Sequence, residues 1–133
     1  MSNSSETIAL LNNRVSVRKY KSDPVPEALI DEVLTAAFRA PTSSNIQSYS
    51  VIVVNDPAIR EQLAMLTGNQ KHVVEAPVFL AFCADLTRIE QAMARQGGTI
   101  VDNNMEIGLV SSIDASLVGM SVYLAAESVG LKG

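Results

Sequence analysis

One cysteine, one histidine and no tryptophan occur among the 133 residues. A single cysteine, Cys83, excludes a disulfide framework within the chain, so the fold rests on packing and a reducing, cytoplasmic setting is the expectation. With His72 as the sole histidine, a metal cage or a serine triad lacks its commonest members. Cys83 lies in the apolar run Val-Phe-Leu-Ala-Phe-Cys-Ala, where a thiol packs rather than attacks. His72 reads as a solvent-facing or hydrogen-bonded side chain. There is neither a Gly-x-Gly-x-x-Gly turn nor a P-loop, and the pair Gly97-Gly98 matches neither. Basic charge is also scarce, with 10 Lys and Arg against 14 Asp and Glu, a net charge of −4 and a pI of about 4.9. Nucleic acid is therefore excluded as a partner, because its binding rests on broad neutralisation of phosphates. Residues 1–7 have no apolar signal core. Repeats, low-complexity tracts and long linkers are missing too, and one domain over residues 1–133 is expected.

Apolar residues, by contrast, are plentiful: 47% of the chain, with a mean hydropathy of +0.20. That richness implies apolar surface covered by a partner. In chain order, residues 6–12 read as a short helix with Ile8, Leu10 and Leu11 turned inward. Glu27 opens a second helix after Pro24 and Pro26, with Ile30, Val33, Leu34, Ala37 and Phe38 on one face. Residues 48–54 read as a strand whose continuous apolar run implies burial on both faces. Residues 57–66 read as a helix with Pro at its first turn, followed by a brief element at Gln70, Lys71 and His72. A second buried strand spans 78–84. Residues 87–99 are mostly polar and read as a mobile excursion.

Residues 102–129 form the longest element, with Asp114 as the single charge between 107 and 126. A membrane span is rejected because a carboxylate at mid-span costs about 2.5–3.5 kcal/mol. A helix apolar on nearly every side is then buried on nearly every side. Ser112, Ala115, Ser116 and Gly119 are small enough to admit a close partner helix, so part of the cover is assigned to a second subunit. Gly130 suits the helix end.

Two polar stretches carry the chemistry. In Arg14-Val15-Ser16-Val17-Arg18, an extended backbone sets Arg14, Ser16 and Arg18 on one face and turns both valines inward. Such a face is either a solvated basic patch or a phosphate site, since guanidinium forks match phosphate oxygens. The second stretch, Thr42-Ser43-Ser44-Asn45-Ile46-Gln47, is either a loop after a helix or a rim of donors and acceptors around a polar ligand. Without an acid, base or nucleophile of its own, the chain can still be an enzyme if a cofactor supplies the reactive atom.

Taken in register, these motifs resemble the flavin mononucleotide (FMN)-dependent nitroreductase family, in its NADPH-dependent nitroreductase and flavin reductase branch. The resemblance rests on Arg14-x-Ser16-x-Arg18-x-Tyr20 with Pro24-x-Pro26, then Ala40-Pro41-Thr42-Ser43-Ser44-Asn45-x-Gln47 before a Val-rich strand. Leu66-Thr67-Gly68-Asn69-Gln70-Lys71-His72, Phe82-Cys83-Ala84-Asp85 and Ala125-Ala126-Glu127-Ser128-Val129-Gly130-Leu131 follow in order. It implies an α+β fold with helices around a small central antiparallel sheet, and a homodimer holding two FMN sites at its interface through a long buried helix. Carried over, Arg14, Ser16 and Arg18 hold the phosphate and ribityl chain, and Gln70 and Lys71 approach the ribityl and ring. Thr42, Ser43 and Asn45 reach the flavin bound mainly by the other subunit. The implied activity is ping-pong hydride transfer from NADPH or NADH to a nitroaromatic, quinone or flavin acceptor, with no catalytic side chain and no metal.

Two departures qualify the resemblance. Val15 stands where many relatives have another Arg, and Gly133 is followed by none of the glycine-rich strand, basic pair and arm that the family continues with. The chain is expected to match the front portion of the family pattern, with a truncated, non-catalytic flavin-binding or dimerisation module as the alternative.

Overall fold

The computed structural model describes residues 5–100 and 105–133. Helix α1 spans Glu6–Asn13, with the Ser5 hydroxyl accepting from the Ile8 amide at 3.3 Å. Helix α2, Glu27–Ala37, follows an irregular stretch, and strand β1, Tyr49–Val53, comes after a single helical turn at Ser43–Asn45. Helix α3 covers Pro57–Leu66, the range the sequence predicts. Asp56 explains its start, since its carboxylate accepts from Ala58 and Ile59 amides at 2.8 and 3.3 Å ahead of a proline that needs no partner. Short α4, Lys71–Glu75, leads to strand β2, Leu80–Ala84.

Residues 87–99 are not a mobile excursion throughout: Thr87–Ala94 form helix α5. Its start is held by Asp85, which accepts from the Thr87 amide at 2.9 Å and from the Ser50 hydroxyl. Helix α6 runs over Met105–Ser128; residues 102–104 of the expected element lie outside the described residues, as do residues 1–4. Its end is a Schellman motif in which Leu131 donates to Ala126 at 2.9 Å and Gly130 to Glu127 at 3.1 Å. Gly130 has φ +85°, a conformation that a side chain disfavours.

β1 and β2 pair antiparallel, from Tyr49 opposite Ala84 to Val53 opposite Leu80. Amides of Val54 and Asp85 extend the ladder at its ends, to Phe79 and Ser48 carbonyls. α6 packs against this pair and against α2. The central cluster is Val33, Ala37 and Val122, with Leu34, Leu80, Ala125 and Ala126 around it.

Burial departs from the expectation in three places. Ile52 is 51% exposed, so β1 is covered on one face, not both. α6 buries a single stripe, Ser111, Asp114, Ala115, Val118 and Val122. At 3.6 residues per turn, the exposed Met105, Leu109, Ile113, Leu117 and Met120 fall on the opposite side. In α1, Ile8 and Leu11 are exposed rather than turned in. α6 is long and apolar enough to cross a membrane by length and composition, yet within the fold its buried stripe is packed on the sheet and α2.

Serine does not make α6 polar. The hydroxyls of Ser111, Ser112, Ser116 and Ser121 each donate to the carbonyl four residues earlier, at 2.7–2.9 Å. Within its own chain Gly119 faces the Phe82 ring of β2, at 3.8 Å from where a Cβ would stand.

Candidate functional site

Residues 14–18 are irregular rather than a strand. Val17 is tied down by its amide, which donates to the Gly133 carbonyl at 2.9 Å, but Val15 is 57% exposed. The strict alternation therefore holds for Val17, which is half-buried, and fails for Val15, which has no strand ladder to fix its direction. Arg14 is half-buried, its guanidinium 5.6 Å from the centre of the Tyr123 ring on α6. That distance suits a cation–π contact.

Ser16 and Arg18 are exposed and line a cleft of about 710 Å3, together with Tyr20, His72, Phe82 and Gly119. Tyr20 donates to the Val17 carbonyl at 2.8 Å. Burial, aided by the neighbouring Tyr123 and opposed by Arg18, pushes its phenol above the ordinary range. Gln70 and Lys71 stand at the start of α4, beside His72, and are exposed. The Gln70 side-chain amide donates to the Thr67 carbonyl. In donor chemistry the mouth of this cleft fits a phosphorylated ligand: a guanidinium and a hydroxyl at the edge, a second guanidinium close in sequence, and aromatic and apolar walls.

The loop at 42–47 is elsewhere. Ser43 is anchored at Asp114 and Arg14 at Tyr123, nine positions further along α6, a rise of about 13.5 Å. Within one chain the two predicted groups do not converge on one cleft: residues 42–47 do not line it.

What sequence reasoning missed is how that loop is held. Ser44, Asn45 and Gln47 have φ values of 50°, 56° and 56°. A left-handed conformation costs an ordinary residue about 1–2 kcal/mol. Against that cost stands Asp114, with no exposed surface. One carboxylate oxygen accepts from the Ser43 amide at 3.0 Å, and the other from the Ser48 amide at 3.2 Å and the Ser48 hydroxyl at 3.0 Å. From α5, Arg88 donates to the Gln47 carbonyl at 2.6 Å, and its guanidinium lies 5.9 Å from the Tyr49 ring centre. Inside the loop, Gln47 donates to Asn45 Oδ1 at 3.1 Å. Thr42 is half-buried, and Ser43 and Asn45 side chains are exposed. The only clue in the sequence was a solitary acid in an apolar helix, which needs buried partners.

The Nitroreductase family model matches residues 11–133. An FMN reductase (NADPH) of Bacillus subtilis is 41% identical over 133 residues, covering 98% of this chain and 52% of the relative. The oxygen-insensitive NADPH nitroreductase of Salmonella typhimurium is 36% identical over 134 residues, covering 97% and 52%. Among solved structures, the NfrA1 nitroreductase of B. subtilis superposes with a TM-score of 0.91 at 38% identity, covering 96% of this chain and 52% of that one. The NADPH:FMN oxidoreductase of Vibrio harveyi complexed with NAD+ gives 0.89 at 30% identity, covering 96% and 54%. The chain thus spans about half the length of the relatives it matches.

Proposed function

Because the chain belongs to the nitroreductase family, we propose that it serves an FMN-dependent NAD(P)H oxidoreductase that reduces nitroaromatics, quinones or flavins by a ping-pong cycle, as a cytoplasmic homodimer. Bound FMN supplies the hydride acceptor and donor, which accounts for a site without a nucleophile of its own. Arg14, Ser16 and Arg18 bind the phosphate end and ribityl chain. Arg14 is braced on Tyr123, and the exposed Arg18 lines the cleft. Gln70 and Lys71 hold the ribityl and ring side from α4. Thr42, Ser43 and Asn45 act on the flavin of the other subunit, a reading supported by their separation from the cleft of their own chain. The exposed apolar stripe of α6 supplies the surface for that second subunit.

The observation that carries this reading is the guanidinium and hydroxyl edge of the cleft, on a chain whose relatives are FMN reductases. The two-stranded sheet with Ile52 exposed on one face favours a second reading, a flavin-binding or dimerisation module that turns nothing over. Absorbance of the purified chain, with an intact mass from the same sample, separates them. A flavin spectrum bleached by NADPH supports the enzyme, an unbleached one supports sequestration, and a colourless protein that takes up no added FMN refutes both flavin readings.

A further inference from the structure

We infer that Asp114 is a positioning residue for the ligand-facing loop: its buried carboxylate sets the conformation in which residues 42–47 present their polar groups. The inference rests on the flavin reading of that loop. Two anchor points, Ser43 and Ser48, close on the two oxygens of one side chain. They bracket Ser44, Asn45 and Gln47, three of the four non-glycine residues with positive φ among the described residues. A free segment of this composition relaxes to ordinary φ values. Here the amides at both ends face a fixed negative charge instead, so the loop wraps the carboxylate and turns its other side outward. Ser43 shows this directly, with its amide on Asp114 and its side chain exposed.

The chemistry requires a carboxylate and not merely a polar side chain of that shape. Both oxygens accept, and each has a backbone N–H in front of it. An amide has one accepting oxygen and one donating NH2 group, so either way round Asp114→Asn points an NH2 at the N–H of Ser43 or of Ser48. Ser48→Ala removes only the hydroxyl bond and leaves both backbone anchors.

Wild type, Asp114→Asn and Ser48→Ala are compared as full chains by residue-resolved amide exchange, FMN fluorescence titration and the visible circular dichroism of FMN at saturation. In Asp114→Asn, exchange at 43–48 is expected to rise at least tenfold while α2 and residues 118–128 keep their protection. FMN affinity is expected to fall at least tenfold, with an altered dichroic band. Ser48→Ala is expected to lose about two- to fourfold. Unchanged exchange and affinity in Asp114→Asn overturn the inference. So does exchange raised evenly through α2 and α6, the mark of a merely structural role. If Asp114→Asn does not fold, Ser48→Ala decides, and a wild-type loop and affinity there overturn the inference. Wild type that takes up no FMN overturns the flavin reading instead; localised exchange in Asp114→Asn then still upholds the anchor, and its absence removes that as well.

Discussion

Gly119 offers a test in which the structure sets the magnitude. A Cβ built there meets the Phe82 ring at 3.8 Å, ordinary contact, while one built at Gly108 on the same helix meets nothing within 4 Å. Both glycines weaken a helix relative to alanine by about 0.5–1 kcal/mol. Gly108→Ala should therefore gain that term alone. Gly119→Ala should gain it together with a fraction of the roughly 0.8 kcal/mol that burying one methyl contributes, about 1–1.5 kcal/mol in all. For a domain of this size that corresponds to a Tm rise of about 3–7 °C. Gly119→Leu extends past the same Cβ toward the ring, and overpacking of this kind costs about 1–3 kcal/mol. Urea unfolding followed by circular dichroism gives all three differences. The packing assigned to β2 and α6 is refuted if Gly119→Ala is less stable than wild type while Gly108→Ala gains.

Arg18→Ala should weaken FMN binding by about 1.5–3 kcal/mol, the range for hydrogen bonds to charged groups. Lys19→Ala should matter far less, and equal losses in a flavin titration would remove Arg18 from the phosphate site. Asp85 supplies a pH test, since hydrogen bonds from Ser50 first, then Thr87, hold its pKa at about 2 instead of 3.8. A depressed carboxylate stabilises the fold above its unfolded pKa, and that stability is lost as the pH falls from about 3.8 toward about 2. Amide exchange in α5 should accelerate over that window in wild type and lose the dependence in Asp85→Asn; an identical profile in the variant would count against the assignment. Self-association should fail in Leu109→Glu and Ile113→Glu, which charge the exposed stripe of α6, and a wild-type chain that sediments as a monomer at high concentration would refute the dimer.

The elements that sequence reading placed best are those with local punctuation. Asp56-Pro57 fixes the start of α3 and Gly130 the end of α6, because capping uses neighbours in the chain. α5 was illegible for the opposite reason. It buries no residue completely, its apolar face is only the short set Ile89, Ala92 and Met93 within a polar stretch, and the Asp85 carboxylate at its start also depends on a strand residue 35 positions away. The all-round apolar pattern of α6 identified a helix but not which stripe would be covered. Of the candidate site, the residue types at 14–18 and 42–47 were legible. The carboxylate that shapes the second loop was visible only as an isolated charge, since its partners lie 66 and 71 positions away.

The same distances set an order of events during synthesis. β1 and β2 are joined through α3 and α4, so their pairing closes a loop that two local helices can shorten beforehand. The loop at 42–47 and the inner face of the sheet, however, wait for residues 105–128. Until α6 has left the ribosome, two short strands with free edges and the apolar side of α2 have no cover, and nascent chains stalled before that point expose strand edges of the kind that pair with other chains. Helix α6 is thus the element that covers what the earlier ones leave open.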